Sequence, residues 1–169
     1  MKNLAAAIVI LVILIFVAVG CTTTQQAEQQ TSGGKTEAAA AAVPAKQLAK
    51  NFHEFDQATY DAALKEGKII FLDFYASWCP ICKEEEPEIK AAFNELNTDN
   101  VIGFRVNYND DQTDSSEKSL AKKFGIAYQH TKIVVAPDEK VLSRTLRQQS
   151  KQEVANQINE AAAATASKE

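Results

Sequence analysis

The segment Ile69-Ile70-Phe71-Leu72-Asp73-Phe74-Tyr75-Ala76-Ser77-Trp78-Cys79-Pro80-Ile81-Cys82 decides how the chain folds. Its first seven residues are a near-continuous apolar run rich in β-branched and aromatic side chains. That is the pattern of a strand covered on both faces and central in a sheet. The two cysteines that follow open a helix, whose N-terminal end carries partial positive charge and lowers a thiol pKa from about 8.5 into the reactive range. Cys79 is therefore the expected nucleophile and Cys82 its resolving partner, since two thiols at this spacing can close a small disulfide ring.

Working outward, Ile89, Ala92, Phe93 and Leu96 repeat at helical spacing, so a helix is predicted from Pro80 or Ile81 to about Leu96, kinked at Pro87. Upstream, Asp56 caps a helix to about Glu66, with Gly67 as its stop. Downstream, Val101 to Tyr108 reads as a second strand. Asp114 and Glu117 form a capping-box pair for a helix ending near Phe124-Gly125. Lys132 to Ala136 and Lys140 to Leu146 are paired strands joined around Pro137-Asp138. Ser150 and Glu153 cap a last helix, with Val154 and Ile158 on its buried face. No internal repeat is visible.

The 169 residues, 46% hydrophobic and 24% charged, suffice for one modest core. Net charge is −4, and removing residues 1–20 would take Lys2 with it and leave the remainder more acidic. Nothing basic suggests nucleic acid, so proteins or small thiols are the expected partners. Residues 1–20 read as a signal: Met1-Lys2-Asn3, then an apolar run from Leu4 to Gly20, then Cys21. Ala18-Val19-Gly20-Cys21 resembles the lipobox of prokaryotic lipoproteins, which makes Cys21 the expected lipidation site. The competing reading is a retained membrane anchor, since about 17 apolar residues lie at the lower limit for spanning a bilayer. Cysteine arithmetic favours the lipoprotein, because pairing Cys79 with Cys82 leaves Cys21 for another purpose. Residues 21–45 are expected to be a flexible linker, too poor in large apolar groups to offset the entropy of ordering. Residues 46–169 are the folded domain. Its expected location is extracytoplasmic, in the periplasm or on the outer face of the cytoplasmic membrane, tethered by lipidated Cys21 or by an N-terminal helix.

From about residue 52 to 162 the chain resembles the thioredoxin superfamily. Asp73, six residues before Cys79, falls where thioredoxins keep a buried carboxylate. Pro87, five after Cys82, falls on the family's helix-kinking proline, and Phe124-Gly125-Ile126 matches the segment before its cis-proline loop. Tyr75-Ala76-Ser77-Trp78-Cys79, with Lys83, is also similar to the thioredoxin-like domains of periplasmic thiol:disulfide interchange proteins. The resemblance implies an α/β, thioredoxin-like fold with a central mixed sheet of four to five strands flanked by helices. It implies exchange with protein thiols and disulfides, electrons passing to or from a membrane thiol reductase, and a monomer. No cofactor is expected beyond the redox-active Cys79–Cys82 disulfide. The expected direction is that of a reductase.

Around the cysteines, Asp73 is expected to be buried with a raised pKa and to exchange a proton with Cys82; the alternative is a strand-end carboxylate facing solvent. Trp78, Pro80 and Thr131 are the residues expected to meet a substrate, with core packing the other reading of Trp78. Arg105 either pairs with Asp73 or is an exposed strand arginine. Glu84, Glu85 and Glu86 read as a solvated helix face. The resemblance aligns Gln129-His130-Thr131 with the loop where the family has cis-proline and threonine, so the bond before His130 is either trans or strained. Three readings of His130 stay open. It stabilises the Cys79 thiolate and carries a proton; it completes a metal site with Cys79 and Cys82, the alternative to no metal; or it turns outward. His53 reads as surface.

Overall fold

The computed structural model describes residues 45–167. The expected signal, Cys21 and nearly all of the expected linker lie outside the described residues. Chain order is β1 (Gln47–Ala49), β2 (Phe52–Glu54), α1 (Gln57–Lys65), β3 (Ile69–Tyr75), α2 (Pro80–Glu95), β4 (Val101–Asn107), α3 (Ser115–Lys123), β5 (Thr131–Val135), β6 (Val141–Thr145) and α4 (Lys151–Ala166).

One sheet of six strands runs in the order β1-β2-β4-β3-β5-β6. It is mixed: β2 and β3 lie parallel to β4, while β1–β2, β3–β5 and β5–β6 are antiparallel. The sequence predicts four to five strands, and the difference is the pair β1 and β2. Each spans only three residues, too few for an alternation of apolar and polar positions to register. What holds them is tertiary. Asn51 turns the chain with φ 54°, its carbonyl accepts from Gly103 N at 2.8 Å, and the Phe52 ring stacks on Phe93 at 5.0 Å.

Every residue of β3 is buried, as expected of a strand sandwiched between helices. Ile70, Leu72 and Phe74 join Phe104, Val106 and Ile133 beneath α1 and α3. Ile69 and Phe71 join Val101, Val134 and the apolar stripes of α2 and α4 on the other face. Burying a side chain of this size contributes roughly 1.5–3 kcal/mol. Period-two alternation therefore sends Asp73 and Tyr75 to the α2 side, and the register aligns Asp73 with Arg105 of β4 and Lys132 of β5.

The helix starts use the predicted caps. Asp56 accepts from Thr59 N, and Asp114 with Glu117 and Ser150 with Glu153 form reciprocal capping boxes. Gly67 ends α1 at φ 72°, a conformation glycine adopts without strain. Pro87 lies inside α2, which runs on through it to Glu95.

Candidate active site

Cys79 is the N-cap of α2 and Pro80 its first residue, where a missing N–H costs no helical bond. The Cys79 Sγ accepts from Cys82 N at 3.3 Å. The two cysteines form a disulfide with their Cα atoms 5.3 Å apart. Both are only 3% exposed and pack with Tyr75 and Ala76. Beside them in the chain the surface is apolar and open: Trp78 is 52% exposed, and Pro80 and Ile81 are exposed too. The Trp78 indole N–H donates to the Asn109 carbonyl at 3.0 Å, and Ser77 N donates to Asp110 Oδ2 at 2.9 Å. Burial pushes the Asp110 carboxyl up, but hydrogen bonds from Ser77, Gln112 and Thr113 outweigh it and leave its pKa lowered.

Beneath the disulfide lies a cluster of charged side chains. Asp73 is buried, and its pKa is pushed up to about 7, first by burial; Lys132 opposes the shift, Glu85 adds to it, Arg105 opposes it and Glu86 adds to it. Arg105 reaches past Asp73. Its guanidinium donates to Glu86 Oε1 and Glu54 Oε1, both at 2.7 Å, and lies 4.9 Å over the Tyr75 ring.

Glu85 is 1% exposed and Lys132 is fully buried. Lys132 Nζ donates to both Glu85 oxygens at 2.7 Å and to the Arg147 carbonyl at 2.8 Å. Gln149 N donates to Glu85 Oε1 at 2.7 Å. His130 Nδ1 lies 3.1 Å from Glu85 Oε2, an approach too oblique to be a hydrogen bond, so both ring nitrogens are buried without a partner. The His130 pKa is lowered, by burial first and by Lys132 second, against Glu85, which raises it.

Several expectations change here. The glutamate run is not one solvated face: Glu84 is exposed, Glu86 is half-buried in its pair with Arg105, and Glu85 is interior, because it lies three residues after Cys82 and four before Ile89 on the buried stripe of α2. Arg105 pairs with Glu86 and Glu54, not with Asp73. His130 does not turn outward; it is 8% exposed. No peptide bond among the described residues is cis, and His130 instead takes φ 65°, a left-handed conformation costly for a side chain of its size. Its N–H, donating to Phe74 O at 2.7 Å, holds it there. Thr131, expected to meet a substrate, is buried, and its hydroxyl donates to the Tyr128 carbonyl at 2.7 Å. His53 is half-buried against Phe104, with Nδ1 unpartnered and its pKa lowered mainly by burial. Among the described residues no group of three or more His, Cys, Asp or Glu side chains is placed to hold a metal ion. In Cys79, Cys82 and His130 both sulfurs are committed to the disulfide. Glu85, Lys132 and Asp110 were not singled out from the sequence. Lys132 had a signal, a lone charge opening the buried run Ile133-Val134-Val135.

Residues 51–160 match the family model described as Thioredoxin. The chain belongs to the thioredoxin family. Among curated proteins it is 28% identical over 110 residues to protein disulfide isomerase-like 5-3 of Oryza sativa subsp. japonica, covering 53% of this chain and 26% of that one. It is 39% identical over 54 residues to the thiol-disulfide oxidoreductase ResA of Oceanobacillus iheyensis, covering 32% of this chain and 28% of that one. The aligned part thus spans about a quarter of the length of each of these relatives. Among solved structures, Trxlp of Edwardsiella tarda superposes with a TM-score of 0.53 at 21% identity, covering 63% of this chain and 97% of that one. Spinach chloroplast thioredoxin f gives 0.53 at 21%, covering 69% and 98%. These two likenesses establish the fold.

Proposed function

We propose that this thioredoxin-family chain is an extracytoplasmic, membrane-tethered thiol:disulfide oxidoreductase working as a reductase on protein disulfides. The observation that carries the reading is the Cys79–Cys82 disulfide at the N-terminus of α2, with Asp73 buried in the strand that leads to it and an apolar rim beside it.

In the dithiol state the Cys79 thiolate is favoured by the helix N-terminus and by the Cys82 N–H that points at its sulfur. It attacks a substrate disulfide, forming a mixed disulfide and releasing one substrate thiolate. Cys82 then gives up its proton to Asp73, whose raised pKa makes it a competent base near neutrality. The Cys82 thiolate attacks the Cys79 sulfur, closes the intramolecular disulfide and expels the second substrate thiolate. Two electrons leave the chain; of the two protons that end on the substrate thiols, one comes from Cys82 by way of Asp73 and the other from solvent, because Cys79 reacts as the thiolate. A dithiol donor, proposed to be a membrane thiol reductase, restores the starting state by the reverse exchange. His130 stabilises the Cys79 thiolate, and Trp78 and Pro80 contact the partner protein. The reductive direction is supported by the resemblance to periplasmic interchange domains, and the tether by the apolar run before Cys21.

An equilibrium redox titration of the full chain tests this. A two-electron couple near roughly −270 mV is expected for a reductase, while one near roughly −120 mV would mark an oxidant. Cys79→Ser should abolish exchange and Cys82→Ser should trap mixed disulfides. A Cys79→Ser chain that still exchanges would sink the assignment.

A further inference from the structure

Resting on that reading, we propose that Glu85 and Glu86 of α2 are positioning residues: they claim the two cations that the sheet presents to Asp73, and so leave Asp73 free to take up and pass on the Cys82 proton.

Strand register puts Asp73 between two positive charges. On β3 it is paired with Arg105 of β4 on one side and with Lys132 of β5 on the other. Adjacent strands lie about 4.8 Å apart, and registered partners stand on the same face, so a salt bridge to either neighbour is the default for a carboxylate in this place. Neither forms. The Lys132 ammonium has three donors, and all are taken, by the two Glu85 oxygens and the Arg147 carbonyl. The Arg105 guanidinium gives Nη1 to Glu86 and Nη2 to Glu54. Every ion pair of the two cations thus goes to a glutamate.

The phase of α2 explains why the glutamates win. Glu85 is three residues after Cys82 on the buried stripe and is fixed further by the Gln149 N–H on Oε1. Glu86, one residue on, is turned by about 100° around the helix and meets Arg105 instead. Each glutamate collects donors that hold it ionised. Asp73, 3% exposed, receives none from either cation, and burial is what pushes its pKa up to about 7. The titratable groups that face it are Lys132 from β5, Arg105 from β4, Glu85 and Glu86 from α2, and Tyr75 of its own strand; His130 Nδ1 lies 3.1 Å from Glu85 Oε2.

The consequence falls on the closing step. Cys82 attacks the Cys79 sulfur, the bond from Cys79 to the substrate breaks, and the Cys82 proton passes to Asp73. An aspartate locked to Lys132 or Arg105 would be a much weaker base. One without a counter-ion accepts the proton near neutrality and gives it up again before the next turnover.

Carbon-13 NMR of the oxidised full chain in detergent, with the aspartate Cγ atoms labelled, reads the charge on Asp73 while the disulfide keeps Cys79 and Cys82 from titrating. Asp73→Asn assigns the signal. The wild-type midpoint is expected near 7. In Glu85→Gln and in Glu86→Gln the freed cation turns to Asp73, and the midpoint should fall by about 1–3 pH units. Adding Lys132→Met to Glu85→Gln should bring it back up, whereas a general loosening of the site would admit water and keep it low. In the reduced chains the closing step is read as the second release of thionitrobenzoate from dithiobis-nitrobenzoate, and its pH profile should move down with Asp73 in both glutamine variants. An unmoved midpoint in either glutamine variant overturns the proposal. So does a low midpoint in the double variant, or a closing profile that stays put while Asp73 moves. Should Glu85→Gln not fold, Glu86→Gln decides alone. Loss of the exchange reading itself would appear elsewhere, as a Cys79→Ser chain that remains active.

Discussion

At the residue scale the most consequential group is Asp73. Its folded pKa of about 7 lies above the ordinary 3.8, so between those values the folded chain holds a proton that the unfolded chain has released. The stability this proton contributes is fully present below pH 4, and it is lost as pH rises through 7. Three units correspond to an upper figure on the order of 4 kcal/mol. Asp73→Asn is therefore expected to leave stability nearly unchanged at pH 4 and to raise it at pH 8, as urea unfolding at the two pH values would show. Equal shifts at both would mean that Asp73 titrates normally. The same variant should slow closure of the disulfide, which loses its base. Asp73 could be read from the sequence because every neighbour in its strand is apolar. Glu85 could not, because three consecutive glutamates look like solvent exposure until the phase of the helix is set by Cys82 and Ile89. The His130 conformation was also out of reach, since a left-handed φ on a non-glycine residue is imposed by the Phe74 carbonyl and not by any local preference.

At the element scale, strands and helices with strong periodicity or reciprocal caps emerged from sequence, β3 and α3 with both bounds and α4 with its start, while β1 and β2 exist only through what they pack against. The two capping boxes differ in a way that spacing does not reveal. Glu153 is turned towards solvent, whereas Glu117 is buried and receives both the Asp114 N–H at 2.9 Å and the Asn107 N–H at 2.7 Å. It ties the start of α3 to the end of β4. Glu117→Ala should thus cost about 2–3 kcal/mol by stranding two backbone donors, against about 1 kcal/mol for Ser150→Ala in the exposed box. Chemical denaturation of the two variants compares them directly, and equal losses would show that the link to Asn107 is energetically idle.

At the scale of the whole molecule, the site is assembled from Asp73 on β3, Cys79, Cys82 and Glu85 on α2, Arg105 on β4, and His130 and Lys132 around the start of β5. It occupies the carboxyl end of the central strand, where open α/β sheets place their chemistry. The proposed tether belongs to this scale as well: incorporation of a labelled fatty-acid precursor is expected in the wild type and not in Cys21→Ala, and equal labelling of both would remove Cys21 as the attachment point.

Trp78 is the chain's one tryptophan, next in sequence to the sulfur that opens and closes, half in solvent and pinned through its indole N–H to Asn109. A disulfide quenches a neighbouring excited indole by accepting its electron, and a dithiol does so far less. The molecule therefore carries its own optical gauge: emission should brighten on reduction and dim on oxidation, following electron flow through the cysteines in real time with no attached dye.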